Sequence, residues 1–376
     1  MTRISDQHLH WAAAGLFLLA LLAVLWPSSD LPPAAFVVPE HKAGGGAPQA
    51  PSPVALPVAA PMAGASSLTQ LADGRVAVAW LSGPDDDASV AAIWLSTLGR
   101  DGWSTPTRAL SREHIAAATF MHLNRLGRPL LHAEGGWLHL WVEALPLGQW
   151  AGGSIVHATS TDGGRSWGRL ERLATSPLGG LGSGLGGSPV ALADGGIGLP
   201  GDLRLAGGVS TWLRLSATGA IVGKVRLAHE EANRQPAIAA LDERRALAVV
   251  REGGGQAGRA TLRTDNGGAT WQAGRRAELP NPDAPVALLR LAGGSLLLAG
   301  NAPEGREALH LWTSDNDGNT WRHAGTVEAA ADGGAEFAFP ALLQTRDGRI
   351  HLSYTWRRQG IRHATFNEAW LHGSRP

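Results

Sequence analysis

No cysteine occurs in the 376 residues, which rules out disulfides and thiolate metal sites but names no compartment. An excess of charge is also missing. The 32 Lys and Arg balance 32 Asp and Glu, so there is no electrostatic ground for a nucleic-acid partner. Aromatic residues are scarce and unevenly chosen: 15 Trp stand beside 6 Phe and 1 Tyr, so tryptophan is used at selected packing positions. The 14 His show no ligand spacing, and neither a metal nor a cofactor is expected. The glycine-rich "LGGLGSGLGGS" (178–188) lacks the Gly-Lys-Ser/Thr of a phosphate loop, and there is no Gly-x-Ser-x-Gly elbow. What is plentiful is Gly (50) and Pro (23), a composition suited to a turn-rich all-β protein.

After a short tail (1–10), residues 11–26, "WAAAGLFLLALLAVLW", form an uncharged and almost wholly apolar run. As a helix it would span roughly 24 Å at about 1.5 Å per residue, a little under a hydrocarbon core of about 30 Å. Trp11 and Trp26 can sit at the interfaces, and Arg3 lies on the N-terminal side. A transmembrane signal anchor is expected in preference to a cleaved signal peptide. That places the rest of the chain on the periplasmic or outer side of a membrane, which the resemblance described below implies is a bacterial inner membrane. Residues 27–63, rich in Pro, Ala and Gly, are expected to be a disordered tether.

From residue 64 to about 372 the texture is that of short apolar strands opened by tight polar turns. One turn-strand unit recurs with its turn position at Gly74, Gly135, Gly195, Glu243, Gly293 and Gly348, at intervals of 61, 60, 48, 50 and 55 residues. Six strand-rich copies at a period near 50 point to a six-bladed β-propeller. A second unit, Ser/Thr-x-Asp/Asn-x-Gly-x-Ser/Thr-Trp, ends at Trp167, Trp271 and Trp321, and "STLGRDGW" (96–103) is a weaker copy. Asp162, Asn266 and Asn316 can accept hydrogen bonds from backbone N–H groups in their own turns. Gly164, Gly268 and Gly318 can supply positive φ, and the Trp that follows can bury a large face between sheets. The unit therefore reads as construction rather than catalysis, because Asn replaces Asp in two copies and cannot be a general acid.

This spacing resembles the Asp-box, or BNR repeat, of sialidases (neuraminidases) and related propellers. From Asn281 to Leu371 the order "NPDAP", "GREALHLW", "EFAFP", "DGRIHLSYTWRRQGIRH" also resembles a membrane-anchored bacterial sialidase-like group. The resemblance implies a Tyr nucleophile, a Glu that takes its proton, three Arg gripping a sugar carboxylate, and an Asp acid. Such chemistry suits a substrate whose reacting carbon bears a carboxylate. A phenolate avoids the like-charge repulsion that a carboxylate nucleophile would meet, and Arg forks bind the carboxylate bidentately. Carried over, Tyr354 is the nucleophile and Glu336 its proton acceptor. Arg251, Arg306 and Arg358 form the carboxylate grip, and Gln235 and Asn281, each before a Pro, line the pocket. The expected first-blade Arg motif has only "FVVP" (36–39) as a counterpart, with Val37 at the Arg position. Asp85, Asp86, Asp87 and, more distantly, Asp202 are candidates for the acid.

The resulting expectation is a sialidase-like exo-glycosidase acting on a terminal acidic sugar. Two alternatives stand beside it: a non-catalytic glycan-binding or envelope-assembly propeller, and a polysaccharide lyase acting on uronic acids.

Overall fold

The structure, a computed structural model, describes residues 6–25, 31–38, 46–84, 88–146, 152–175, 180–204, 208–227, 233–252, 258–302, 305–330 and 336–373. Six antiparallel sheets of four or five strands follow one another around a ring. Blade 1 runs from the axis outward as Met62–Gln70, Val76–Gly83, Ala92–Gly99 and Gly102–Trp103. Blade 2 is Arg125–Glu134, Trp137–Leu145, Ser154–Ser160 and Glu171–Arg172. In blade 3 the innermost strand is split into Ser183–Leu185 and Val190–Ala191, both paired with Ile197–Leu203. Blades 4 and 5 begin at Asn233–Ala240 and Ala287–Arg290. Blade 6 is Phe337–Gln344, Ile350–Trp356 and Gly360–Phe366, completed on its outside by Val54–Ala55.

Closure of the ring is visible along the axis. Met62–Gln70 of blade 1 packs against the first strands of both blade 2 and blade 6. A single axial cavity of about 330 Å³ is lined by the first strands of all six blades, from Leu68 in blade 1 to Leu342 in blade 6. The pairing of Val54 with His363 fastens an N-terminal strand onto the last blade, so separating the chain ends opens the circle.

The repeated turns build one face. In five blades the turn between the first two strands closes with the same backbone bond: Leu71, Leu192, Leu241, Leu291 and Thr345 donate to Arg75, Gly196, Arg245, Ser295 and Arg349. The Trp-bearing turns lie on the same face, between the third and fourth strands of blades 2, 4 and 5. In the first, Asp162 Oδ1 accepts from the N–H of Arg165 (3.0 Å) and Ser166 (2.9 Å), and Ser166 Oγ donates to Oδ2 (2.6 Å). These bonds hold the Asp162 carboxyl well below its usual range, the Ser166 hydroxyl contributing most. In the other two the direction reverses: Asn266 and Asn316 donate through Nδ2 to Thr270 (2.8 Å) and Thr320 (2.9 Å). Gly164 has φ of +90°, and a Cβ there would overlap Leu95 of the preceding blade. Each Trp packs into the seam with that preceding blade. Trp167 joins the blade 1–2 core, Trp271 the blade 3–4 core and Trp321 the blade 4–5 core. The boxes are thus peripheral scaffolding.

The N-terminal region bears on two expectations. Helix Asp6–Leu25 does form, but among the described residues no helix is long and apolar enough to cross a membrane. Within the expected tether at 27–63, the described stretches 31–38 and 46–63 are held against the propeller rather than hanging free. Phe36, only 1% exposed, packs edge-on against Trp212, and its N–H donates to Glu243 O (2.8 Å). Leu31 and Ala34 join the same core between blades 3 and 4. Farther on, Gln49 N–H donates to Asn367 Oδ1 (3.0 Å), and Leu56 is buried. A proline-rich segment without helix or strand periodicity still docks wherever a few apolar residues meet a ready-made groove.

Candidate functional site at the axial mouth

The face opposite the boxes is irregular where it meets the axis. The first strands of blades 1, 2, 4 and 6 all break register near their start, at 64–67, 126–129, 234–237 and 338–341. The bulges hold Ala65, Arg128, Gln235 and Phe339; all but Arg128 have φ near +50°. In three of the four, the next residue is Pro: Pro129, Pro236 and Pro340. Proline lacks the N–H a ladder needs, so it is tolerated where a bulge leaves a residue unpaired. Each bulge re-aims one side chain at the start of an innermost strand.

Arg128 is the central cation of this mouth. It is 9% exposed, and its guanidinium carbon lies 5.7 Å from the ring centroid of Phe339, which reaches it from blade 6. Its Nη1 donates to Leu185 O (3.4 Å), and its Nε is buried with no partner. Burial lowers its affinity for the proton, and the Arg204 and Arg251 charges act in the same direction, while Glu143 and Asp202 oppose them. Those two carboxylates share Arg204. Asp202 Oδ1 accepts from Arg204 Nε (2.9 Å), while Glu143 accepts from Arg204 Nη2 and from Leu185 N–H (2.8 Å). With both carboxylates ionised the triad carries one surplus negative charge, opposite in sign to Arg128. Burial pushes the Asp202 carboxyl above its usual range, with Glu143 adding to the effect and Arg204 opposing it.

Arg251 stands on the next wall. Its Nη1 donates to Gln235 Oε1 (2.9 Å) and its Nε to Asp283 Oδ1 (2.8 Å). The segment carrying Asp283 is clamped from below by Arg259, which is 1% exposed and donates to Pro280 O (2.6 Å) and Ala284 O (3.1 Å). Burial lowers the Arg259 pKa to about 10. Within that segment both side-chain amide atoms of Asn281 are buried and have no partner. The site thus offers guanidinium and amide donors, one aromatic face and buried carboxylates.

The other residues expected from the sequence fall into separate pairings. Tyr354 lies in the second strand of blade 6, 0% exposed, and its hydroxyl donates to Glu328 Oε2 (2.5 Å). Trp356 Nε1 (3.1 Å) and Arg362 donate to the other oxygen of that carboxylate. Burial, reinforced by Glu328, raises the Tyr354 pKa and keeps the phenol protonated. Glu336 pairs with Arg306 at 2.5 Å rather than with Tyr354. Arg358 is exposed in a left-handed turn (φ +60°). Val37 lines the axial cavity, its N–H on Ala191 O (3.0 Å) in a turn of the box face, opposite the mouth. Asp85, Asp86 and Asp87 lie outside the described residues, and Asp202 is in the buried triad. Among the described residues no three His, Asp or Glu are grouped as a metal site. Sequence reasoning missed Arg128 and Phe339, although the X-Pro pattern that singled out Gln235 and Asn281 also marks both.

No curated protein matches the chain. Among solved structures it is similar to the Hadza microbial sialidase Hz136, at 14% identity and TM-score 0.67, over 82% of this chain and 66% of that one. The intramolecular trans-sialidase from Ruminococcus gnavus is 14% identical with TM-score 0.63, over 82% of this chain and 95% of that one. The Penicillium chrysogenum alpha-L-arabinanase is 12% identical with TM-score 0.61, over 86% and 99%. Likeness at these identities speaks for the fold. The model of the BNR repeat-like domain matches residues 74–352, so the chain belongs to that family, and its six-bladed ring shares the propeller fold of these structures.

Proposed function

We propose that the protein is a sialidase-like, glycan-acting propeller that seats the carboxylate of a terminal acidic sugar in its axial mouth. The observation that carries this is Arg128, a buried guanidinium with an unpartnered Nε, flanked by Arg251 and faced by Phe339. An anion entering there gains charge-assisted hydrogen bonds in a site already desolvated. Gln235 and Asn281 supply amide groups for sugar hydroxyls. Isothermal titration with sialyllactose and with a galacturonate-terminated oligosaccharide tests the reading. Arg128→Met should weaken binding of the acidic ligand at least tenfold, and unaltered affinity would overturn the assignment.

Hydrolysis is the second reading: Asp202 is held above its usual range, as a proton donor would be, although its side chain is as sealed as that of Tyr354. The sealed position of Tyr354 weighs against a phenolic nucleophile, because attack needs the oxygen at the sugar. Mass spectrometry of the incubated glycans separates the two readings: released monosaccharide supports hydrolysis, an unsaturated product supports a lyase, and intact ligand supports recognition alone.

A further inference from the structure

A second polar hollow lies on the box face, away from the mouth. It has a volume of about 340 Å³ between blades 1 and 2. Trp137, 48% exposed, stands at its wall at the start of a strand, just after the turn residues Gly135 (φ +56°) and Gly136 (φ +86°). The turn glycines have nothing within 4 Å of a built Cβ, so the approach is open. Most polar groups on this face are already engaged: Asp162 by its own turn, and Arg75 by Asp73 (2.7 Å) and Thr97 (3.2 Å). Arg165 and Arg346 differ. Both are exposed, both line the hollow, and their guanidinium groups have no hydrogen-bond or ion-pair partner among the described residues. The hollow also runs on into the rim of the axial cavity, since Gln70, Glu134 and Arg346 line both. It is therefore an elongated cleft with room for more than one sugar ring.

An indole lying open in a polar cleft offers a flat apolar face to the C–H face of a pyranose. Two uncommitted guanidinium groups beside it match carboxylates repeated along a chain. We infer that this cleft is a second saccharide site, which takes an internal stretch of an acidic polysaccharide with one ring on Trp137 and carboxylates on Arg165 and Arg346. The site is independent of the mouth, and its test is arranged accordingly. Hexagalacturonate and, as a neutral control, maltohexaose are titrated into the full chain carrying Arg128→Met, so that mouth binding is removed. Hexagalacturonate should still bind this protein, and adding Trp137→Ala should weaken it at least tenfold. Adding Arg346→Glu, an exposed change that leaves the fold alone, should weaken it similarly and steepen the loss with salt. Unaltered affinity in either variant, equal binding of maltohexaose, or no binding of hexagalacturonate to the Arg128→Met protein would each overturn the inference.

Discussion

The two faces of the ring are made of the same strands and differ in how their polar groups are satisfied. On the box face, most polar side chains serve the backbone of their own turn, as Asp162 does for Arg165 and Ser166, while Arg245 and Arg263 of blade 4 also reach the blade 5 box at Asp317 and Asn319. On the mouth face, polar side chains reach across blades, as Arg204 does to Glu143, and some atoms, such as Arg128 Nε and the Asn281 amide, have no partner. Local satisfaction can be copied from blade to blade because it depends on nothing outside the turn. Cross-blade satisfaction cannot be copied, and buried polar atoms left without partners are what a ligand can use. The regular face therefore holds the fold together, and the irregular one is where recognition belongs.

Four substitutions or conditions can break or sharpen this contrast. The largest effect is expected on the mouth face. Arg204→Leu leaves Glu143 and Asp202 buried side by side and should cost about 3–5 kcal/mol in guanidinium denaturation. A loss no larger than that of a box glycine would remove the contrast. Next, Gly164→Ala forces a Cβ toward Leu95 at a left-handed position and should cost about 1–3 kcal/mol. It should do so without changing affinity at the mouth. Tyr354→Phe strands Glu328 without its phenol donor, and a loss of about 1–3 kcal/mol is expected. Glycan turnover abolished by that change, with stability intact, would move Tyr354 from the packing to the chemistry.

The smallest effect is set by pH. His351 and His363, bonded to each other at 3.0 Å, have pKa values lowered by burial to about 4 and about 3, from 6.5. The folded state thus binds fewer protons than the unfolded one. This contribution is full above pH 6.5 and is lost as pH falls toward 4 and then 3. Between pH 7 and 6 the loss should stay under about 1 kcal/mol per histidine. A His351→Leu, His363→Leu protein should show a flatter stability profile over that range.

Much of the scaffold was legible because it is encoded within single turns. The offsets ending at Trp167, Trp271 and Trp321 specify loops whose hydrogen bonds run from residue to near neighbour. The period of the Gly turns counts the blades for the same reason. The site was legible only in part. Arg251 and Gln235 do meet. Tyr354 drew attention as the only tyrosine, yet its strand position turns it into the seam between blades 5 and 6, onto Glu328. Residues 31–38 carry no periodicity, so nothing local announced that Phe36 would bury itself against Trp212.

By itself, then, the sequence determined the repeat, the turn chemistry and the all-β class, since each depends on residues a few positions apart. The tertiary structure alone decided which charges share the mouth, that Arg128 meets Phe339 from another blade, and that strand Val54–Ala55 closes the ring. Those contacts join residues of different turns and blades, up to some three hundred positions apart, and only the closed circle brings them within reach.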